Sequence, residues 1–430
     1  MKIGFLLLRQ PFLKTMGALI DASLEAGHEV FIFYQPNAMQ GEKAYQNVTS
    51  DNIPDFAGGQ VKVVEFELDD FKKLHSEYAL DIVVTHEGYH VLHGGVPEKD
   101  FKYLQDNGIK LVSLCHFFET SQQPLEALTY FDKTLYMSEY ARELHYELHG
   151  APRQLAEDIY GHLGAVVGAP LFDPICGSNP DQIRKALDIP AGKKVVLFSS
   201  PVLSALTPWR FAVWREPSRW TRTKNAVKQG NWGYLPEIWT GNSFKDTVAA
   251  VRDFCDRQEA YLIVKSRVKQ EDPDYLIRAA DLYLDGSEDR YYPIFTTYEL
   301  LAVADLCVTV MSMTAPEAVA AGVPVLNIYV PATDYDSPPS EVYVRYLETL
   351  LSNQSESMMN YPGAIHTIDR RKIVAWLENR KIEDVPADAD AQSNYQEKYL
   401  GINGKQKSSA RILDLFEELV EQPSLALEAR

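Results

Sequence analysis

The opening stretch reads Ile3, Gly4, Phe5, Leu6, Leu7, Leu8, then Met16, Leu19, Ile20 and Leu24 at helical spacing up to Gly27, then Val30, Phe31, Ile32, Phe33, Tyr34. A short, uniformly apolar run suits a strand buried on both faces, and apolar residues recurring every three or four positions mark a helix covering one face. Strand, helix, strand in that order predicts a βαβ unit with parallel strands and a right-handed crossover. Further short apolar runs at 61–64, 82–85, 110–114 and 134–137 extend the same pattern into one doubly wound domain. The turn after the first run is Arg9, Gln10, Pro11, Phe12, Leu13, Lys14, Thr15, with no Gly-x-Gly-x-x-Gly, which argues against a dinucleotide there.

The pattern breaks at Pro170, Pro174 and Pro180. A second series follows: a strand at 195–198, a helix carrying Phe244, Val248, Val251 and Cys255, and a strand at 261–265. Asp272 is then read as an N-cap with Pro273 at N1, followed by a strand at 291–295 and a helix opening on the capping box Thr296 to Glu299. Strands at 306–310 and 325–329 and helices near 342–351 and 409–420 close the series. The expected organisation is an N-terminal Rossmann-like domain at 1–168, a linker at 169–180, a C-terminal Rossmann-like domain at 181–405, and a helix at 406–430 crossing back to the first domain. The fold class is α/β, two doubly wound domains facing across a cleft.

Composition narrows the function. The 430 residues carry 42 Lys plus Arg against 60 Asp plus Glu, a net charge of −18, with 46% apolar and 24% charged residues. Such an acidic chain lacks the basic face that nucleic acid requires. No run of about 18 apolar residues could cross a bilayer. Cys115, Cys176, Cys255 and Cys307 are widely spaced, which suggests neither disulfides nor a zinc site and fits a reducing compartment. The N-terminal apolar run is too short for a signal-peptide core of roughly 7–15 residues, so a cytoplasmic location is expected.

Chemistry concentrates after the 306–310 strand, where Met311, Ser312, Met313, Thr314, Ala315, Pro316 and Glu317 lead into a helix ended by Gly322. A helix N-terminus at the carboxyl end of a parallel strand, with hydroxyl residues in the turn, suits an anion. Glu317, one turn in, has the reach for a vicinal diol; the same Thr314 to Glu317 spacing also makes an ordinary capping box.

This segment resembles the nucleotide-sugar site of GT-B glycosyltransferases, Thr-x-x-Glu-Ala-x-Ala-x-Gly-x-Pro-Val, which stands here as Thr314 to Val325. Glu299 to Asp305 upstream, the Gly168-x-Pro170-x-x-Asp173 crossover and the opening Gly27, His28, Glu29, Val30 are similar to the same family. The resemblance implies that Glu317 binds ribose hydroxyls and that the amides around Ser312, Met313 and Thr314 bind the diphosphate. It implies no metal and no further cofactor, the nucleotide-sugar donor being a substrate. Many members have glycines where Met311 to Met313 stand, and the E-x7-E pattern of one retaining group is absent because Thr309 occupies its first position.

Other candidates lie at strand ends. Lys265 and Arg267 are placed to neutralise a leaving diphosphate, and Ser199 and Ser200 are further nucleotide-binding candidates. In the first domain Glu87, His86 and His116 follow strands and are candidates for the catalytic base of an inverting transfer. Between Thr207 and Asn231 six basic residues face one acid, and the neighbourhood holds five of the six tryptophans. Trp209, Arg210, Trp214, Arg215 and Trp220 are therefore read as contacting a sugar acceptor or a lipid surface, against the plainer alternative of an insertion packing its tryptophans inward.

The expected function is transfer of a sugar from a nucleotide-activated donor to an acceptor hydroxyl in polysaccharide or glycolipid synthesis, in the cytoplasm or at the inner face of the membrane. The alternatives are a nucleotide-sugar 2-epimerase or a CDP-glycerol glycerophosphotransferase on the same fold, and a non-catalytic sugar-binding scaffold.

Overall fold

The computed structural model describes residues 1–36, 46–86, 96–114, 118–177, 179–201, 214–228, 230–266, 272–287, 289–330, 340–404 and 406–421. The chain divides into two compact units. Unit 1 comprises Met1–Gly177, Arg290–Phe295 and Gln396–Arg430; unit 2 comprises Ser178–Asp289 and Thr296–Tyr395.

Unit 1 is built on strands β1 (Lys2–Leu7), β2 (Glu29–Tyr34), β3 (Lys62–Glu65), β4 (Ile82–His86), β5 (Lys110–Leu114), β6 (Lys133–Tyr136) and β7 (Gly164–Val166). They lie in the order β3-β2-β1-β4-β5-β6-β7, all parallel. Unit 2 repeats the scheme with β8 (Val195–Ser199), β9 (Tyr261–Lys265), β10 (Leu282–Leu284), β11 (Leu306–Thr309), β12 (Val325–Tyr329) and β13 (Ile365–Asp369) in the order β10-β9-β8-β11-β12-β13. These are parallel too. In each sheet the winding direction reverses once, between β1 and β4 and between β8 and β11. Ligands in doubly wound sheets bind beyond the carboxyl ends of the strands at that reversal.

One local device recurs in both sheets. An aspartate immediately before a strand accepts the N–H at the start of its neighbour: Asp81 from Lys2 at 2.7 Å, Asp132 from Leu111 at 2.8 Å, Asp281 from Leu262 at 2.7 Å, Asp305 from Val195 at 2.7 Å. Each of these aspartates also donates its own N–H to the carbonyl of that same neighbour residue. The first peptide of an inner strand, which the ladder would leave short of partners, is thereby satisfied. Burial pushes the Asp132 carboxyl upward, opposed by the Leu111 N–H.

Several expectations change. Residues 291–295 form no strand; they carry a cis Tyr292–Pro293 bond and pack with unit 1, and the strand of this region is β10. Pro293 offers no N–H to a ladder, which is the physical reason a run of aromatics fails to pair there. Asp272 caps no helix: the helix is Asp274–Ala279 and Pro273 is its N-cap. Within the expected linker, Pro170–Gly177 forms 3-10 turns belonging to unit 1. The chain passes between the units at 177/178, and Gln396–Arg430 lies with unit 1. There the Ser408–Glu421 helix adds Ile412, Leu413, Phe416 and Leu419 to the unit 1 core. Its first N–H groups, on Ser408 and Ser409, are accepted by Asp173 at 3.0 and 2.8 Å.

Candidate functional site

At the winding reversal of unit 2, Ser199 ends β8 and the loop after β11 brings Ser312 and Thr314 against it. The Thr314 hydroxyl lies 3.2 Å from that of Ser199 and 3.1 Å from that of Ser312. The Thr314 N–H donates to Ser312 Oγ at 3.3 Å. Thr314 is the first residue of the Thr314–Ala320 helix, Met313 is its N-cap, and no side chain caps it. The capping-box alternative for Thr314 and Glu317 is therefore not realised; the Thr314 hydroxyl joins the two serines instead.

The loop turns through Met311, whose φ of +44° lies in the left-handed region that glycine adopts more readily. Its N–H donates to Asn327 Oδ1 at 2.9 Å, and the Asn327 amide is held by the carbonyl of Met359 at 3.0 Å and the hydroxyl of Thr367 at 3.2 Å. Asn327 is fully buried in the middle of β12. Sequence reading passed over it, although one amide inside the apolar run Val325 to Tyr329 was a visible signal.

Glu317 is buried one turn into the helix. Burial first, and the Glu317 charge second, push the Tyr298 phenol and the Cys307 thiol upward. At the end of β9, opposite Ser199, the Lys265 ammonium is ion-paired with Asp289 at 2.7 Å. Ser200 donates to Asp272 Oδ1 at 2.7 Å, and Arg215 approaches the same oxygen at 3.5 Å. Tyr283 donates to the other oxygen at 3.4 Å. Burial pulls the Arg215 guanidinium below its usual range, and the Asp272 charge opposes that. Asp272 and Asp289 are thus parts of the site that sequence reading did not assign to it.

The Trp/Arg-rich segment divides. Trp214 is fully buried in the unit 2 core, edge-on to Phe244 at 5.0 Å, and Arg215 is anchored on Asp272. Trp220 is 74% exposed. In unit 1, His86 ends β4 at the corresponding reversal, 2% exposed and stacked on Phe12 with ring centroids 3.6 Å apart. Glu87, His116, Arg267, Trp209 and Arg210 lie outside the described residues.

No protein-family model and no curated protein sequence matches the chain. Solved structures do. A putative UDP-N-acetylglucosamine 2-epimerase from Listeria monocytogenes is similar over 98% of this chain and 97% of its own, with a TM-score of 0.55 and 13% identity. The wall teichoic acid polymerase TagF is similar over 98% of this chain and 89% of its own, with a TM-score of 0.53 and 13% identity. The S. aureus MnaA structure with UDP is similar over 98% of both chains, with a TM-score of 0.53 and 12% identity. The fold is GT-B. At these identities the likeness establishes architecture, and the GT-B fold carries more than one chemistry.

Proposed function

We propose that the protein is a glycosyltransferase that moves a sugar from a nucleotide-activated donor to an acceptor hydroxyl in polysaccharide or glycolipid synthesis. The observation that carries this reading is the cluster of Ser199, Ser312 and Thr314 hydroxyls where β8 and β11 part, at the head of a helix with Glu317 one turn in. Three rotatable hydroxyls can donate to diphosphate oxygens, and a hydrogen bond to a charged group contributes about 1.5–3 kcal/mol. Stabilising the departing diphosphate in this way lowers the barrier to breaking the sugar–phosphate bond. Lys265 would act from its pair with Asp289, as a positive charge held in place. The acceptor proton would pass to a base from the His86, Glu87 and His116 group, a contribution of typically 10²–10⁴ in rate.

A second reading, a nucleotide-sugar 2-epimerase, is favoured by the TM-score of 0.55 to the Listeria protein, level with the 0.53 to the polymerase. A third, CDP-glycerol phosphotransfer, differs in delivering glycerol phosphate.

The test is thermal shift with UDP, GDP, CDP, TDP and CMP and their sugars on the wild type and Thr314→Val. A ligand at a hundredfold excess over its Kd stabilises by about 2.7 kcal/mol. A shift with one nucleotide, weakened in Thr314→Val, is expected. Incubating that sugar nucleotide without acceptor then separates the readings, since only an epimerase changes the sugar. No shift with any nucleotide would overturn the proposal in favour of a non-catalytic scaffold.

A further inference from the structure

Beyond the reaction, unit 2 carries a surface that the nucleotide chemistry does not use. The Arg219–Lys228 helix and the Leu235–Thr240 helix pack on each other through Ala226 and Ile238, with Tyr234 and Leu235 alongside. In and between these helices Trp220 is 74%, Trp232 60%, Trp239 43% and Val227 39% exposed. The rings of Trp220 and Trp239 meet edge to face at 5.4 Å. Arg219, Lys224 and Lys228 are exposed on the same helix as Trp220, and residues 219–228 contain no acid. No described acidic side chain pairs with Lys224 or Lys228.

We infer that this helical hairpin docks the protein on an anionic lipid bilayer, with Trp220, Trp232 and Trp239 at headgroup depth and Arg219, Lys224 and Lys228 facing lipid phosphates. Two features select this occupant. Charge is the first: a cationic, acid-free helix stands in a chain of net charge −18, which a negatively charged surface would otherwise repel. Ring placement is the second. Sugar-binding aromatics present flat faces to a groove, whereas Trp220 and Trp239 stand edge to face and are exposed, as is Val227, two helical turns from Trp220. The valine side chain has no hydrogen-bonding use, and tryptophan at the headgroup level buries its ring while its N–H stays in a polar layer. Among the described residues no helix is long and apolar enough to cross a membrane, so contact of this kind would be peripheral.

Lipid binding by these exposed residues is read without turnover. The full chain is sedimented with phosphatidylcholine vesicles and with phosphatidylcholine/phosphatidylglycerol vesicles. Binding to the anionic vesicles only, weakened by salt, is the expected result. Lys224→Glu with Lys228→Glu, and separately Trp220→Ala with Trp232→Ala, should each lower the partition coefficient about tenfold or more. The charge-reversal pair sits on solvent-facing positions and keeps the inference testable if the tryptophan variant folds poorly. Brominated phosphatidylglycerol should quench tryptophan emission in the wild type and less in the tryptophan variant. Failure to bind anionic vesicles, binding unchanged in both variants, or preference for the soluble polyanion polygalacturonate over vesicles would each overturn it. The nucleotide-dependent thermal shift is recorded on the same proteins, so loss of one property is distinguished from loss of the other.

Discussion

Gly17, in the middle of the Leu13–Glu25 helix, lies under the ring of Tyr292: a Cβ at position 17 would clash with that ring. The ring is held from two other sides, stacked on Phe56 at 5.4 Å and donating its hydroxyl to Asp21, one helical turn beyond Gly17. Burial first, and then the Asp21 hydrogen bond, push the Tyr292 phenol far above its ordinary value. A short segment that interrupts unit 2 in sequence is thereby fixed onto the first helix of unit 1.

Gly17→Ala should therefore destabilise the protein by about 1–3 kcal/mol through overpacking, although alanine is the better helix former by roughly 1 kcal/mol. In a Tyr292→Ala background the same change should become neutral or stabilising. Urea denaturation of the double-mutant cycle checks both signs, and additive behaviour would show that the ring does not occupy the glycine's face.

His145 is fully buried between the Tyr136 hydroxyl at 2.7 Å and the Gln123 carbonyl at 2.8 Å, and burial pulls it down to about 4 from 6.5. Between pH 6.5 and 4 the unfolded chain binds this proton and the folded one does not, so stability falls as pH falls through that window. The contribution is about 3 kcal/mol at 1.36 kcal/mol per pKa unit. Comparing wild type with His145→Gln from pH 7 to pH 4 should show the steeper loss in the wild type.

Asp173 accepts the first two N–H groups of the Ser408–Glu421 helix from a distant part of unit 1. Asp173→Ala should cost about 1–2 kcal/mol and raise hydrogen exchange first in that helix. Exchange unchanged at Ser408 and Ser409 would show that the cap does not hold the helix.

Met311 occupies a left-handed conformation in the loop that carries Ser312 and Thr314. A β-branched residue there is more strained, so Met311→Ile should lose about 1–2 kcal/mol of stability. Met311→Asn, which tolerates this conformation, should lose less. Thermal melts of the two variants rank them directly.

The fold was legible because a strand at the centre of a parallel sheet must be apolar on both faces, and the inner runs of β1, β4, β5, β8 and β11 are. The strands passed over, β7, β10 and β13, are all sheet edges, where half-exposed positions break the run. The Thr314 to Val325 segment signalled a loop at a strand end from sequence alone. Its hydroxyl cluster did not, because Ser199 and Thr314 are brought together only by the pairing of β8 with β11.

By itself the sequence determined the alternation of buried strands and one-sided helices, because each is fixed by the local spacing of apolar residues. Tertiary structure alone decided that Arg290–Phe295 and Gln396–Arg430 belong with unit 1, that Trp214 is core while Trp220 faces solvent, and that Arg215 rests on Asp272. Those outcomes depend on which distant surfaces meet, and a run of tryptophans and arginines reads the same before and after half of it has been buried.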